Sequence, residues 1–163
     1  MLRVTLQVDG EAQFDRAFSR FGHHTEDLRF LWADVASDFR EIEQEQFATQ
    51  GGHGHAWQPL SKKYGQWKAK HHPGKQILEL DGTLWKSLTV KGAKGHVERP
   101  DKDSLSLGTS LHYAKYHQRG TKKMPARKVI DLTEADKKKI SRTIHRRLVG
   151  VARATGFEVR EGI

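Results

Sequence analysis

The sequence predicts an α+β fold: a long N-terminal amphipathic helix and a C-terminal helix packed on a small, mainly antiparallel β-sheet. Three observations carry this. Apolar residues keep helical phase from Leu28 to Phe47, and a capped amphipathic stretch opens at Thr133. Between them lie short alternating runs punctuated by turn residues. At 163 residues the chain fits one domain, 1–163, and is long enough to bury a core.

Leu2, Val4, Leu6 and Val8 alternate with polar residues, so a half-buried strand is expected there, ended by Asp9-Gly10. Phe14, Ala17, Phe18 and Phe21 recur at the spacing of one helical face, with Gly22 as the expected stop. Thr25 is the expected N-cap of the next helix, with Glu26 and Asp27 where the helix dipole favours negative charge. Leu28, Leu31, Trp32, Val35, Phe39, Ile42 and Phe47 then form one stripe, reaching to about residue 50. Glycines 51, 52 and 54 break it, and a loop expected to be mobile follows at about 50–76, dense in Lys and aromatic rings and at most briefly helical.

Leu80, Leu84 and Leu88 mark a short helix with Asp81 as candidate cap. "SLTVKG", "GHVERP" and "SLSLGTS" read as short strands of an antiparallel sheet. Thr133 and Asp136 have the spacing of a capping box. The helix they open carries Ile140, Ile144, Leu148 and Val151 on one side and its cations largely on the other. "TGFEVREGI" reads as a final strand.

Hydrophobic residues make up 36% of the chain and charged ones 30%, an apolar shortfall that suits a protein completing its burial against neighbours. The net charge of +9 is uneven: residues 1–50 hold five Lys/Arg against ten Asp/Glu, which leaves all the positive excess to the remainder. A chain with unlike ends can attract copies of itself head to tail, and acidic partners such as DNA. With no cysteine, disulfides, thiol nucleophiles and Cys-based zinc sites are excluded. No apolar run is long enough to span a bilayer, and the first residues lack the pattern of a signal peptide, so a chain made in a cytoplasm with no membrane partner is expected.

The chemical readings are weaker. His53, His55, His71 and His72 are a candidate metal set, but no HExxH or carboxylate at a fixed helical offset accompanies them, and no metal is expected. Ser61, Ser87 and Ser110 lack a nucleophile elbow, and no phosphate-binding glycine loop is present. Tyr113, His117 and Arg119 could be drawn as an acid–base trio, yet a histidine beside aromatic rings is more often a packing residue. No catalytic residue and no cofactor is assigned. Lys137, Lys138, Arg142 and Arg146 on the last helix are candidate contacts to DNA or to a partner.

Four stretches in order, "WQPLSKKY", "ILELDGTLWKSL", "LGTSLHYAKYHQRG" and "MPARKVIDLTEAD", resemble the phage virion morphogenesis (tail completion) family of Mu-like and related tailed phages. The resemblance covers roughly residues 57 to 148, and an acidic helix upstream is also typical of such proteins. Two positions depart from the family pattern: Asp81, where Thr is frequent, and Val129, where an aromatic is common. The resemblance implies a structural, non-enzymatic protein of the virion, at the head–tail neck or the head-proximal end of the tail, assembled in the host cytoplasm. It implies a ring of copies, a hexamer by preference, joined to neck, connector or tail proteins. The basic C-terminal half gives the alternative role, a phage assembly factor in non-specific contact with phage DNA. The residues expected at such a subunit seam are Asp34, Asp38, Glu41 and Glu45, facing Lys and Arg of the C-terminal half, and the corner built by Tyr113, His117, Arg119 and Arg127.

Overall fold

The computed structural model describes residues 11–52 and 54–157. They form α1 (Glu11–Thr25), α2 (Arg29–Ala48), α3 (Lys62–His71), α4 (Thr83–Thr89), β1 (His96–Pro100), β2 (Leu105–Thr109), α5 (Ala114–Arg119) and α6 (Glu134–Ala154). The fold is α+β, with one antiparallel hairpin in which Val97 pairs with Gly108 and Glu98 with Leu107. The expected strand at 2–8 and most of the one at the C-terminus lie outside the described residues. Thr155 to Phe157, the described part of the latter, is turn and irregular chain.

α2 organises the molecule. Its apolar stripe buries Leu31, Val35, Phe39, Ile42 and Phe47, each such side chain contributing about 1.5–3 kcal/mol by leaving water. Phe39 and Phe47 meet Trp57, Leu84 and Leu88 of α4, Ala114 and Val129 in the core. A lone two-stranded hairpin is marginal in water, and here it leans on both helices. The Ser87 hydroxyl donates to Thr109 Oγ1 at 2.9 Å and His96 Nδ1 donates to the Ser87 carbonyl at 3.0 Å. The hairpin tip is tied to the start of α2, where Trp32 Nε1 donates to the Asp101 carbonyl and the Leu28 amide to the Lys102 carbonyl, each at 2.7 Å. Glu98 gathers Arg40 at 2.7 Å, Lys91 at 3.1 Å and His96 at 3.3 Å. Burial works against its charge, but these partners hold its carboxyl below the ordinary range.

α6 packs on α2 rather than directly on the hairpin. Its start is the capping box foreseen: the Asp136 amide donates to Thr133 Oγ1 at 3.2 Å, and the Thr133 amide donates to Asp136 Oδ2 at 2.7 Å. Its apolar residues Ile140, Ile144, Leu148 and Val151 stay half-buried, while the residues that are fully covered are Asp136 and Thr143.

Three local readings need correction. Gly22 does not stop α1, which continues to Thr25. Thr25 does not cap α2; its hydroxyl donates to the Gly22 carbonyl at 2.9 Å, and α2 opens after Leu28 with no side-chain cap. "SLTVKG" is the last turn of α4 and the turn beyond it, not a strand, because Leu84 and Leu88 extend the helical phase across it and bury against α2. In the segment expected to be loop, Ser61 Oγ accepts from the Tyr64 amide at 3.4 Å and opens α3, a helix of ten residues.

Candidate functional site

An open groove of about 610 Å³ lies between α3, the chain leading into α4, and the corner from Tyr113 to Arg127. Leu60, Ser61, Tyr64 and Lys68 form one wall, Leu78 to Asp81 with Leu84 the floor, and Tyr113, His117 and Lys123 to Pro125 with Arg127 the other wall. All four stretches that carry the family resemblance therefore meet here. Tyr64 and Leu80 line it with more than two-fifths of their surface in solvent, and Trp67 beside it is equally open. Tyr64 stacks on Trp67 at 5.5 Å between ring centres and Trp67 on His71 at 5.0 Å, making a ladder of rings along α3.

The groove wall is held by a dense set of bonds onto residues 127–130. The Arg127 amide donates to the His117 carbonyl at 2.8 Å. Trp57 Nε1 and Gln46 Nε2 both donate to the Lys128 carbonyl, at 2.7 and 3.1 Å. Gln118 Oε1 accepts from the Val129 and Ile130 amides at 2.8 and 3.1 Å, and its Nε2 donates to the Ile130 carbonyl at 2.8 Å. One amide side chain thus satisfies three backbone groups that would otherwise lack partners in a non-helical segment. Gly120 makes the preceding turn at a φ of 73°, where a Cβ would sit 2.7 Å from the Ala126 amide nitrogen.

Arg127 is buried and its guanidinium donates from Nε to the Gln58 carbonyl at 2.7 Å and from Nη2 to the Pro59 carbonyl at 2.9 Å. It therefore clamps the lead-in to α3 of its own chain, with backbone carbonyls as its partners. Lys68 on the inner side of α3 is also buried, its ammonium pulled below the usual range by burial, and it donates to the Gln76 carbonyl. Leu78 in the floor has a φ of 62°, a left-handed conformation that costs a branched residue about 1–3 kcal/mol. The two residues before it are tethered, Gln76 by the bond from Lys68 to its carbonyl and Ile77 by its amide, which donates to Gln50 Oε1 at 3.4 Å.

His117 is half-buried with Nδ1 enclosed and without a hydrogen-bond partner, and burial, then the Arg127 charge, push its pKa down. The ring is neutral near pH 7. Tyr113 lies edge-on to it at 6.2 Å, and burial raises the phenol. Arg119 is exposed at the end of α5, outside the groove. The trio drawn from sequence is therefore not assembled: no base–acid pair orients His117, and its charged neighbour is a cation. What this arrangement can do is cover apolar and aromatic groups of another molecule between charged rims.

The expected acidic seam lies elsewhere. Asp34 pairs with Arg147, Glu41 with Lys139 at 2.8 Å, and Asp38 with the same Lys139 at 3.9 Å, all between α2 and α6 of one chain. At Asp34, Asp38 and Glu41 the unlike charges of the two halves meet inside the protomer, while Glu45 is exposed on the last turn of α2. Lys137 pairs with Glu134 at 2.7 Å, whereas Lys138, Arg142 and Arg146 point outward. Among the described residues no cluster of three or more His, Asp or Glu could hold a metal. His55 pairs with Asp131 at 2.5 Å, and His71 and His72 pack on Trp67. No helix of the described residues is long and apolar enough to cross a membrane.

Gln118, Trp57, Gln46 and Lys68 escaped the sequence reading as site residues. Trp57 and Gln118 fall within the quoted motifs, and that is the one signal that could have found them; Gln46 and Lys68 sit in helices with nothing in their spacing to mark them. The two departures from the family pattern are both accommodated. Asp81 is not the cap of α4, a position taken by Gly82 in a left-handed conformation; its Oδ1 accepts from the Thr83 amide at 2.9 Å in the turn before the helix, and Val129 fills a core position at 2% exposure.

Among curated proteins and among solved structures no match to the chain was found. Residues 9–149 match the phage virion morphogenesis family, a span that includes every described helix but the last turn of α6, both strands and all of the groove. The chain belongs to the phage virion morphogenesis family.

Proposed function

We propose that this protein is a structural, non-enzymatic component of the phage virion that closes into a ring at the head–tail neck or the head-proximal end of the tail, completing the tail and joining it to the capsid. Its role in virion morphogenesis follows from family membership; the ring and its position are the proposal. The observation that carries it is the convergence of all four motifs on an open, aromatic-walled groove. The occupant of the groove is an apolar element of the next copy. A second apolar surface, the half-covered flank of α6, differs from the groove. Two unlike surfaces on one chain suit head-to-tail contacts, which close into rings rather than pairs. Because Asp34, Asp38 and Glu41 are neutralised within the protomer, the seam is apolar and the ring persists at about 1 M salt, where surface charges are screened within about 3 Å.

The test is composition and phenotype together. Purified particles should contain the protein in a fixed, ring-sized copy number, and particles made without it should be unjoined heads and unfinished tails. Its absence from mature particles would end the proposal. His117→Gln should leave particle yield within about twofold of the parent, because the ring is a neutral packing group. Loss of all particles from that variant, with its fold intact by circular dichroism, would instead assign His117 a chemical task.

A further inference from the structure

The cations of α6 fall into two sets. Lys139 and Arg147 turn toward α2 and meet its carboxylates, and Lys137 meets Glu134. Lys138, Arg142 and Arg146 are spaced i, i+4, i+8, so they form a row along the neighbouring, outer face, with Arg146 nearest the α2 side, where its charge adds to that of Arg147 in lowering the Asp34 pKa. All three are exposed, and among the described residues no carboxylate lies within ion-pairing distance of them. Ala135, Ser141 and His145, exposed between and beside them, add no acid and no large apolar group.

We propose that this outer face of α6 binds the phosphate backbone of duplex DNA, independently of base sequence. The inference goes beyond the assembly role and does not require the ring, since the stripe is complete on one chain. From Lys138 to Arg146 the helix rises about 12 Å, a length that spans three or four successive phosphates of one strand. An acidic protein partner fits less well, because protein interfaces are built around an apolar centre and are depleted in lysine, and this face has no such centre. A membrane surface fits less well too: the apolar residues of α6 turn to α1 and α2 instead of flanking the cations.

The experiment is fluorescence anisotropy of a labelled duplex of arbitrary sequence with the full chain, over about 50–200 mM salt. Three proteins are compared: the parent, Lys138→Gln/Arg142→Gln/Arg146→Gln, and the control Lys62→Gln/Lys63→Gln/Lys70→Gln, which removes the same charge from exposed positions of α3. The stripe variant should bind at least about tenfold more weakly, with a log–log salt slope shallower by about 3. The control should stay within about threefold of the parent. Equal losses in the two variants would show diffuse attraction to net charge and overturn the assignment. So would competition by polyglutamate, or by anionic vesicles, as effective as that by DNA at equal charge.

Discussion

Arg127→Ala should lower the stability of the isolated protein by about 3 kcal/mol, a fall in Tm on the order of 10 °C for a chain of this size. The guanidinium is nearly enclosed and makes two directed bonds, to the Gln58 and Pro59 carbonyls. Hydrogen bonds from a charged donor contribute about 1.5–3 kcal/mol each, offset in part here because burial itself disfavours the charge and lowers the Arg127 pKa. Truncation leaves two carbonyls without partners and frees the chain that leads into α3, so one wall of the groove loosens with it. Arg127→Lys is the sharper probe. It keeps the charge but not the planar fork, and should recover less than half of the loss. A lysine variant as stable as the parent would show that Arg127 is not a clamp. Thermal unfolding followed by near-ultraviolet circular dichroism, to which Trp57 contributes, reads both.

The second large effect concerns Glu43, on the buried side of α2. Its carboxyl is fully enclosed with neither oxygen hydrogen-bonded, and burial, reinforced by the Asp136 charge, raises its pKa from 4.5 to about 8. The folded state therefore binds this proton more tightly than the unfolded chain does. The stability it confers is fully present below about pH 4.5 and is lost as pH rises through about 8. The loss across that window is on the order of 3–5 kcal/mol. Glu43→Gln cannot ionise, so it should match the parent within about 1 kcal/mol at pH 5 and exceed its stability by a few kcal/mol at pH 8. His117 carries the opposite sign: its lowered pKa makes it lose stability as pH falls, which is why the difference between variant and parent, not the parent's profile, is the quantity to measure. Parallel stability curves for the two proteins from pH 5 to 8 would refute the buried-acid account.

These two residues show where the sequence stops being readable. α2 and α6 were legible because periodicity and capping act within a few residues of each other, as Thr133 and Asp136 do. The hairpin was legible from its turn residues, but Val90 was misread as strand because a short apolar run does not reveal its own period. The acidic and basic halves were visible in composition. That Asp34 reaches Arg147 of the same chain was not, since charge patterning carries no distance. The groove depends on contacts such as Trp57 to Lys128 and Arg127 to Gln58, about seventy residues apart, as the 71 and 69 of their separations record. No local rule predicts those. The motifs pointed to the right segments without showing that they converge, and nothing local to Glu43 marks its carboxyl as buried.

The native mass of the purified chain, measured beside that of Leu80→Glu, bears most directly on whether the groove joins one copy to the next. Leu80 is two-fifths exposed in the groove floor, so the substitution should leave Tm nearly unchanged while placing a charge in the apolar contact. The expected result is a ring for the parent, stable at high salt, and a monomer for the variant. A parent that is monomeric at every concentration tested, or a variant that forms the same ring, would contradict it.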